Sequence, residues 1–197
     1  MDTIIIERNK IRCCSVNDYF DKMVWLLKAK RKDKGNYKAD IDLIHVVDGI
    51  YYSSDSVRLH CFLPDYDNIP NTPEYKLVDG SYKVLSSNKK QITLQFVEGA
   101  EKIDVNKVTT YRKNNKTESF NTESGTSSHF VNHVYRKTGK VFNYQYIIDG
   151  AEGMTGDIVI DIPDYHGFNS YISQSDEFTP VIFGNKSQFV LIMPLKQ

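Results

Sequence analysis

Few side chains in this sequence stand at spacings that could support catalysis. His60 is followed directly by Cys61, but neighbouring strand residues point to opposite faces, which disfavours a catalytic Cys–His pair. His129 and His133 stand four residues apart, a spacing that joins ligands only on a helix, and the surrounding residues favour a strand. The sequence also contains no P-loop, HExxH motif or glycine-rich phosphate cradle. We therefore predict a protein that is not an enzyme and that carries no metal or cofactor.

Electrostatic attraction to phosphate is a second kind of chemistry, and one basic stretch could supply it. The period from Val16 to Lys32 is helical, with Ser15 as its N-cap and Gly35 as its end. On this segment, cations either belong to a solvated face and stabilise the helix C-terminus, or contact phosphates and release counterions. Trp25 could stack on a base or cover an apolar surface. The residues alone favour the solvated face for the basic side chains, which are Lys22, Lys28, Lys30, Arg31, Lys32 and Lys34.

The last twenty residues offer an apolar candidate site. Val181–Phe183 form a β-prone run, Gly184-Asn185 supplies a turn, and Phe189–Met193 form a second apolar run. Pro194 cannot donate a backbone hydrogen bond and therefore ends the second strand. The segment is either an ordinary last core strand or the wall of a binding groove, and general principles alone favour the core strand.

The composition limits the class of protein. The length of 197 residues suits one large domain or two small ones. The 25 basic and 25 acidic side chains cancel, so attraction to nucleic acid must come from local clusters of charge. The 13 tyrosines and 10 phenylalanines favour sheet over helix bundle. Three cysteines outside any CxxC motif, the absence of an apolar run of membrane-spanning length and the absence of a signal-peptide pattern predict a cytoplasmic protein with no membrane partner.

The first half of the chain is predicted to consist mainly of strands. Residues 41–54 are divided by Asp48-Gly49, which strongly indicates a β-hairpin. Residues 64–80 contain three prolines and are predicted to be a loop, with strands following at 81–85 and 92–97. The polar stretch 114–128 marks a boundary, and we divide the chain into domains at 1–108 and 109–197.

The second half shows fewer regular elements. A strand is predicted near residues 130–135, and no amphipathic helix is evident between 109 and 135. Asn143 is a good N-cap for a helix that Gly150 and Gly153 would keep short. Residues 156–162 alternate as a strand that Pro163 ends.

Three separate motifs occur in order along the chain. The first is a strand with Asp, two residues and Arg-Leu, formed by Asp55, Arg58 and Leu59. The second is Phe-Asn, two residues, Tyr and an apolar residue at a helix start, formed by Phe142, Asn143, Tyr146 and Ile147. The third is an apolar strand that closes on Met-Pro-Leu-Lys, with Leu191, Ile192, Met193, Pro194 and Leu195. Bacterial β sliding clamps carry these motifs in the same order, so the sequence resembles the second and third domains of the β clamp (DNA polymerase III β subunit), over most of residues 16–197.

This resemblance implies an α+β fold, the DNA clamp fold. Two clamp-like domains would carry antiparallel sheets and channel-facing helices, and the second domain would be abbreviated. It also implies a processivity factor that holds double-stranded DNA and tethers a DNA polymerase through a hydrophobic peptide groove. The alternative is a peptide-binding or regulatory module of the same fold that forms no ring.

The resemblance also implies which residues would take part. The peptide groove would be formed by Arg58, Leu59, Leu191, Ile192, Met193, Pro194 and Leu195. The basic residues of the first helix would face DNA. Closed clamps of this fold contain six domains, so a two-domain chain would need to form a trimer.

Overall fold

The structure, a computed structural model, describes residues 3–8, 14–30, 42–102, 116–121, 127–154, 156–162 and 180–195. The chain divides into two units, Met1–Ile103 and Asp104–Gln197. Among the described residues, each unit contains an antiparallel sheet and at least one helix. The predicted α+β class is therefore confirmed.

The first unit contains six described strands and one α-helix. The sheet order is β1-β6-β5-β2-β3-β4, and the paired strands are antiparallel. In chain order the elements are β1 (Thr3–Glu7), α1 (Cys14–Leu26) with a 3₁₀ turn (Leu27–Ala29), β2 (Leu43–Val47), β3 (Ile50–Ser54), β4 (Arg58–Phe62), β5 (Gly80–Ser87) and β6 (Gln91–Val97).

The predicted Asp48-Gly49 hairpin is present and fixes the register of β2 and β3. Asp48 and Gly49 have φ angles of 51° and 74°, the left-handed pair that a two-residue hairpin turn requires. Val47 pairs with Ile50 across the turn. The carboxylate of Asp79 accepts the backbone N–H of Asp48 at 2.9 Å and thus holds the turn against the start of β5.

Helix α1 supplies most of the large side chains that pack on this sheet. Tyr19, Phe20, Met23 and Leu26 are buried, and the Tyr19 ring meets the edge of the Phe62 ring at 6.0 Å. The helix begins at Cys14, before the predicted N-cap Ser15, and it ends earlier than predicted, because Lys30 already has extended backbone angles of −71° and 136°.

The second unit contains four described strands and two α-helices. Its sheet order is β10-β9-β8-β7, again antiparallel. The elements are β7 (Lys116–Asn121), α2 (Ser127–Thr138), α3 (Tyr144–Ala151), β8 (Asp157–Ile162), β9 (Val181–Gly184) and β10 (Gln188–Ile192).

Helix α2 was not predicted from the sequence. The strand predicted near residues 130–135 is wrong, and so is the absence of a helix between 109 and 135. Phe130 and Val134 are buried one turn apart, and the Phe130 ring meets the Phe183 ring at 5.1 Å. Tertiary packing has overridden the strand propensity of Phe, Val and Tyr in this segment. Among the described helices, none is long and apolar enough to cross a membrane.

Candidate functional site

The predicted closing hairpin is formed by β9 and β10. Asn185 organises its turn, because its side-chain oxygen accepts the backbone N–H groups of Ser187 and Gln188 at 3.0 and 2.8 Å. Strand β10 ends at Ile192, two residues before Pro194, as the missing proline N–H requires. The hairpin thus delivers the last described residues to the surface of the second unit.

The predicted groove residues at this end differ in exposure. Ile192 is fully buried and belongs to the core, so it supports the tail from beneath and offers no surface to a peptide. Leu191, Met193 and Pro194 are half-buried, whereas Leu195 is 46% exposed. The accessible apolar surface of the tail therefore increases from Met193 to Leu195.

A backbone hydrogen bond anchors the exposed tail. The N–H of Leu195 donates to the carbonyl oxygen of Val141 at 2.9 Å. Val141 is itself exposed, and Tyr144, which begins α3, exposes more than half of its surface. We call these three exposed apolar residues, Val141, Tyr144 and Leu195, the tail patch. Isolated apolar residues are common on protein surfaces, but two that share a backbone bond can form one contact surface.

Helix α3 positions one side of the tail patch. Its predicted N-cap is confirmed, since the Asn143 side chain accepts the N–H of Gln145 at 3.0 Å. Ile147 is buried, and Gly150 lies so close to the sheet that an added Cβ would stand 2.9 Å from Cζ of Phe183. The Phe-Asn-x-x-Tyr segment therefore starts a helix whose far end is fixed against β9 and β10.

The Arg-Leu step of the first unit is buried. The guanidinium of Arg58 contacts the carboxylate of Asp55 at 3.0 Å and also donates to the carbonyl oxygen of Lys28. The same carboxylate accepts the backbone N–H of Arg58 at 2.9 Å. Leu59 is only 5% exposed. Arg58 thus ties β4 to the end of α1, and the contribution of Arg58 and Leu59 to a peptide groove remains a prediction.

The residues of α1 are less available to DNA than their sequence suggests. Trp25 is buried and stacks on His60 with ring centroids 4.5 Å apart, so the possibility that it stacks on a base is wrong for this structure. Lys22 is half-buried and pairs with Asp18 at 2.8 Å. Lys28 and Lys30 are half-buried near the helix end, and the remaining predicted cations, Arg31, Lys32 and Lys34, lie outside the described residues.

Helix α2 carries cations that the sequence analysis did not select. Arg136 and Lys137 are exposed in its last turn, and Gly139 follows with a φ of 64°. The segment from Ser127 to Ile148 contains no acidic residue. Three sequence signals could have indicated this helix: the apolar residues Phe130 and Val134 four positions apart, the basic last turn and the following glycine.

Comparison with known proteins identifies the fold. No protein family and no curated protein matches the sequence. The structure is similar to the DNA polymerase III β subunit of Thermotoga maritima, with a TM-score of 0.51, 12% identity and coverage of 99% of this chain and 65% of the other. It is similar to the polymerase III β protein of Caulobacter crescentus, with a TM-score of 0.53, 10% identity and coverage of 100% and 67%. The DNA polymerase sliding clamp of Pseudomonas aeruginosa gives a TM-score of 0.51 at 11% identity.

These similarities confirm the resemblance predicted from the sequence at the level of the fold. Nearly the whole chain aligns with clamp structures, although it spans slightly less than two thirds of the Thermotoga maritima chain. The protein therefore has the clamp fold, in a form that matches part of a clamp chain.

Proposed function

We propose that this protein is a sliding clamp-like processivity factor that holds duplex DNA and tethers a DNA polymerase. The observation that carries the proposal is the alignment of 99–100% of the chain with bacterial sliding clamps at TM-scores of 0.51–0.53. A clamp of this kind catalyses no reaction. It acts by holding its two partners together, so binding is the activity to measure.

The tail patch is the proposed receptor for the polymerase. A peptide receptor needs accessible apolar surface and a few fixed polar groups to orient the ligand. The tail patch supplies the first, and the hydrogen bond from Leu195 to Val141 together with the Asn143 cap fixes the backbone around it. Half-buried Met193 adds a side chain that adapts easily to different partners.

Binding of a labelled polymerase peptide tests this receptor. The peptide carries the clamp-binding motif of a DNA polymerase, and fluorescence anisotropy measures its affinity. Saturable binding that a tail-patch variant weakens supports the proposal. Binding that is absent, or that is unaffected when the tail patch is altered, contradicts it.

DNA contact is proposed for two basic regions, residues 28–34 and the last turn of α2. Arg136 and Lys137 are exposed in that turn. Phosphate contacts of this kind are independent of sequence, and each adds about 0.9 to the slope of log affinity against log salt. A chain of zero net charge can attract DNA only through such local clusters.

Charge reversal in α2 tests the DNA contact. We expect the double variant R136E/K137E to weaken duplex binding on all sequences and to reduce the salt slope by roughly one per lost contact. The matched control is K89E/K90E, which reverses two adjacent exposed lysines at the turn between β5 and β6. An equal loss of DNA affinity in the two variants, or no loss in either, would contradict a specific contact between α2 and DNA.

Ring closure is proposed to occur between copies of the chain. In their own units, β1 and β7 each lie at an edge of the sheet, where unpaired backbone groups can pair with a neighbour. Head-to-tail contacts between two-unit chains would close a ring of three. Light scattering with and without DNA should therefore give the mass of a trimer. A strictly monomeric protein at high micromolar concentration would favour a peptide-binding module that forms no ring.

A further inference from the structure

The first unit contains a cavity that has no part in the proposed clamp function. Its volume is about 610 Å³, and most of its lining comes from the long loop between β4 and β5. Sites for small molecules typically have volumes of roughly 300–1,000 Å³. Within the part of the chain that the structure describes, none of the tail patch or of the proposed DNA-contacting residues lines it.

The walls of this cavity are mainly apolar and aromatic. Ile4, Leu77 and the rings of Tyr66 and Tyr82 contribute, together with Pro73 and Val78. Tyr82 is held by a hydrogen bond of 2.7 Å from its hydroxyl to the carbonyl oxygen of Val78. Tyr66 donates its hydroxyl to that of Tyr51 at 3.1 Å. Both rings are therefore fixed in place before any ligand arrives, which lowers the entropic cost of binding.

The charged groups of the lining indicate the sign of the ligand. Among the described residues, the lining contains one acidic residue, Asp79, and one basic residue, Lys76. The two oxygens of Asp79 lie 2.9 and 3.5 Å from the backbone N–H groups of Asp48 and Gly49, which offset its negative charge. The ammonium of Lys76 instead lies over the face of Tyr66, 5.2 Å from the ring centroid. An anion seated beside that ring would meet a cation that is already in position.

Asn71 also lines the cavity, and its side-chain amide is a hydrogen-bond donor for an oxygen ligand. We propose that this cavity is a binding site for small aromatic carboxylates. The aromatic body would lie against Tyr66 and Tyr82, and the carboxylate would take the Lys76 ammonium and the Asn71 amide. The site is independent of the proposed clamp function, because it uses neither the tail patch nor α2.

Three probes of equal size and different charge test the proposal on the full chain. They are 1-naphthoate, 1-naphthylmethanol and 1-naphthylmethylammonium, measured by calorimetry or ligand-observed NMR. We expect the carboxylate to bind most tightly and the ammonium most weakly, with a difference of roughly five- to tenfold that falls at high salt. Saturable binding in this order supports the site. No saturable binding of the carboxylate, or tighter binding of the ammonium, overturns it.

Two variants and a control locate the binding. K76E should reverse the order of the three probes, because it replaces the cation of the described lining with an anion. K83E is the matched control, since Lys83 is exposed on β5 directly after Tyr82 and adjacent strand residues point to opposite faces. V78W, at a position that is 69% exposed, should obstruct the cavity and lower the affinity for all three probes while the protein stays folded. An order unchanged by K76E, or changed as much by K83E, overturns the assignment.

Discussion

The change Leu195→Ser tests the proposed receptor with the least disturbance of the fold. Leu195 exposes 46% of its surface, and a bound peptide would cover this exposed part. Complete burial of a leucine side chain contributes about 1.5–3 kcal/mol, so covering the exposed 46% contributes about 0.7–1.4 kcal/mol. We therefore expect L195S to lower the affinity for the polymerase peptide by about three- to tenfold, as measured by fluorescence anisotropy. Its melting temperature should stay nearly unchanged, because the lost side chain is on the surface.

Leu85→Ser is the matched control for this experiment. Leu85 lies on β5 of the first unit and is 49% exposed, so the same substitution removes a similar apolar surface far along the chain. A second variant, L195P, lacks the N–H that donates to the carbonyl oxygen of Val141. It should lower the affinity for the peptide further, because the tail loses this backbone hydrogen bond. If L195S and L85S lower the affinity for the peptide equally, or if L195S unfolds the protein, the tail patch is not the peptide receptor.

Two further predictions concern the first unit. Arg58→Ala should lower the free energy of unfolding in urea by about 3 kcal/mol, because the Asp55 carboxylate, whose side chain is only 12% exposed, loses its cation. Arg8→Ala, which breaks an exposed pair, should cost about 1 kcal/mol or less. Equal costs would contradict the structural role of Arg58. Burial raises the pKa of Tyr82 to about 12, so between pH 10 and 12 the native state holds a proton that the unfolded state has lost, and stability should fall as pH rises through this window. Tyr82→Phe should flatten that fall in chemical denaturation at pH 9–12, and an unchanged slope would show that Tyr82 does not titrate in this way.

The elements that the sequence predicts correctly depend on the backbone conformation and hydrogen bonding that a few residues favour. Asp48-Gly49 favours the left-handed angles that a two-residue turn needs, and Asn143 can accept an N–H at a helix start. Pro194 removes a donor wherever it stands. These residues act on their nearest neighbours, so their effect is visible in the sequence. Together they located the first hairpin, α3 and the end of the last strand.

The errors arose where packing between distant residues decided the outcome. Trp25 stands among lysines, and the sequence leaves open whether it stacks on a base or covers an apolar surface; stacking on His60 from β4 places it in the interior. The contacts of Arg58 with Asp55 and the carbonyl of Lys28 are likewise not visible in its motif, and its part in a peptide groove stays a prediction. Helix α2 forms because Phe130 and Val134 find the sheet of the second unit, whereas their β propensity indicated a strand. Such partners are chosen by the fold and are invisible in the local pattern.

The neutral total charge conceals a strong separation of charge along the second half of the chain. Residues 127–140 contain Arg136, Lys137 and Lys140 and no acidic residue, whereas residues 141–185 contain seven acidic residues and no lysine or arginine. The basic part includes α2, and the acidic part includes α3, β8 and β9. A polyanion is attracted by the field near its own contact surface, because charges beyond a Debye length of about 8 Å are screened at physiological salt. The proposed contact between α2 and DNA is therefore compatible with a neutral chain, and the salt dependence of the α2 variant tests it.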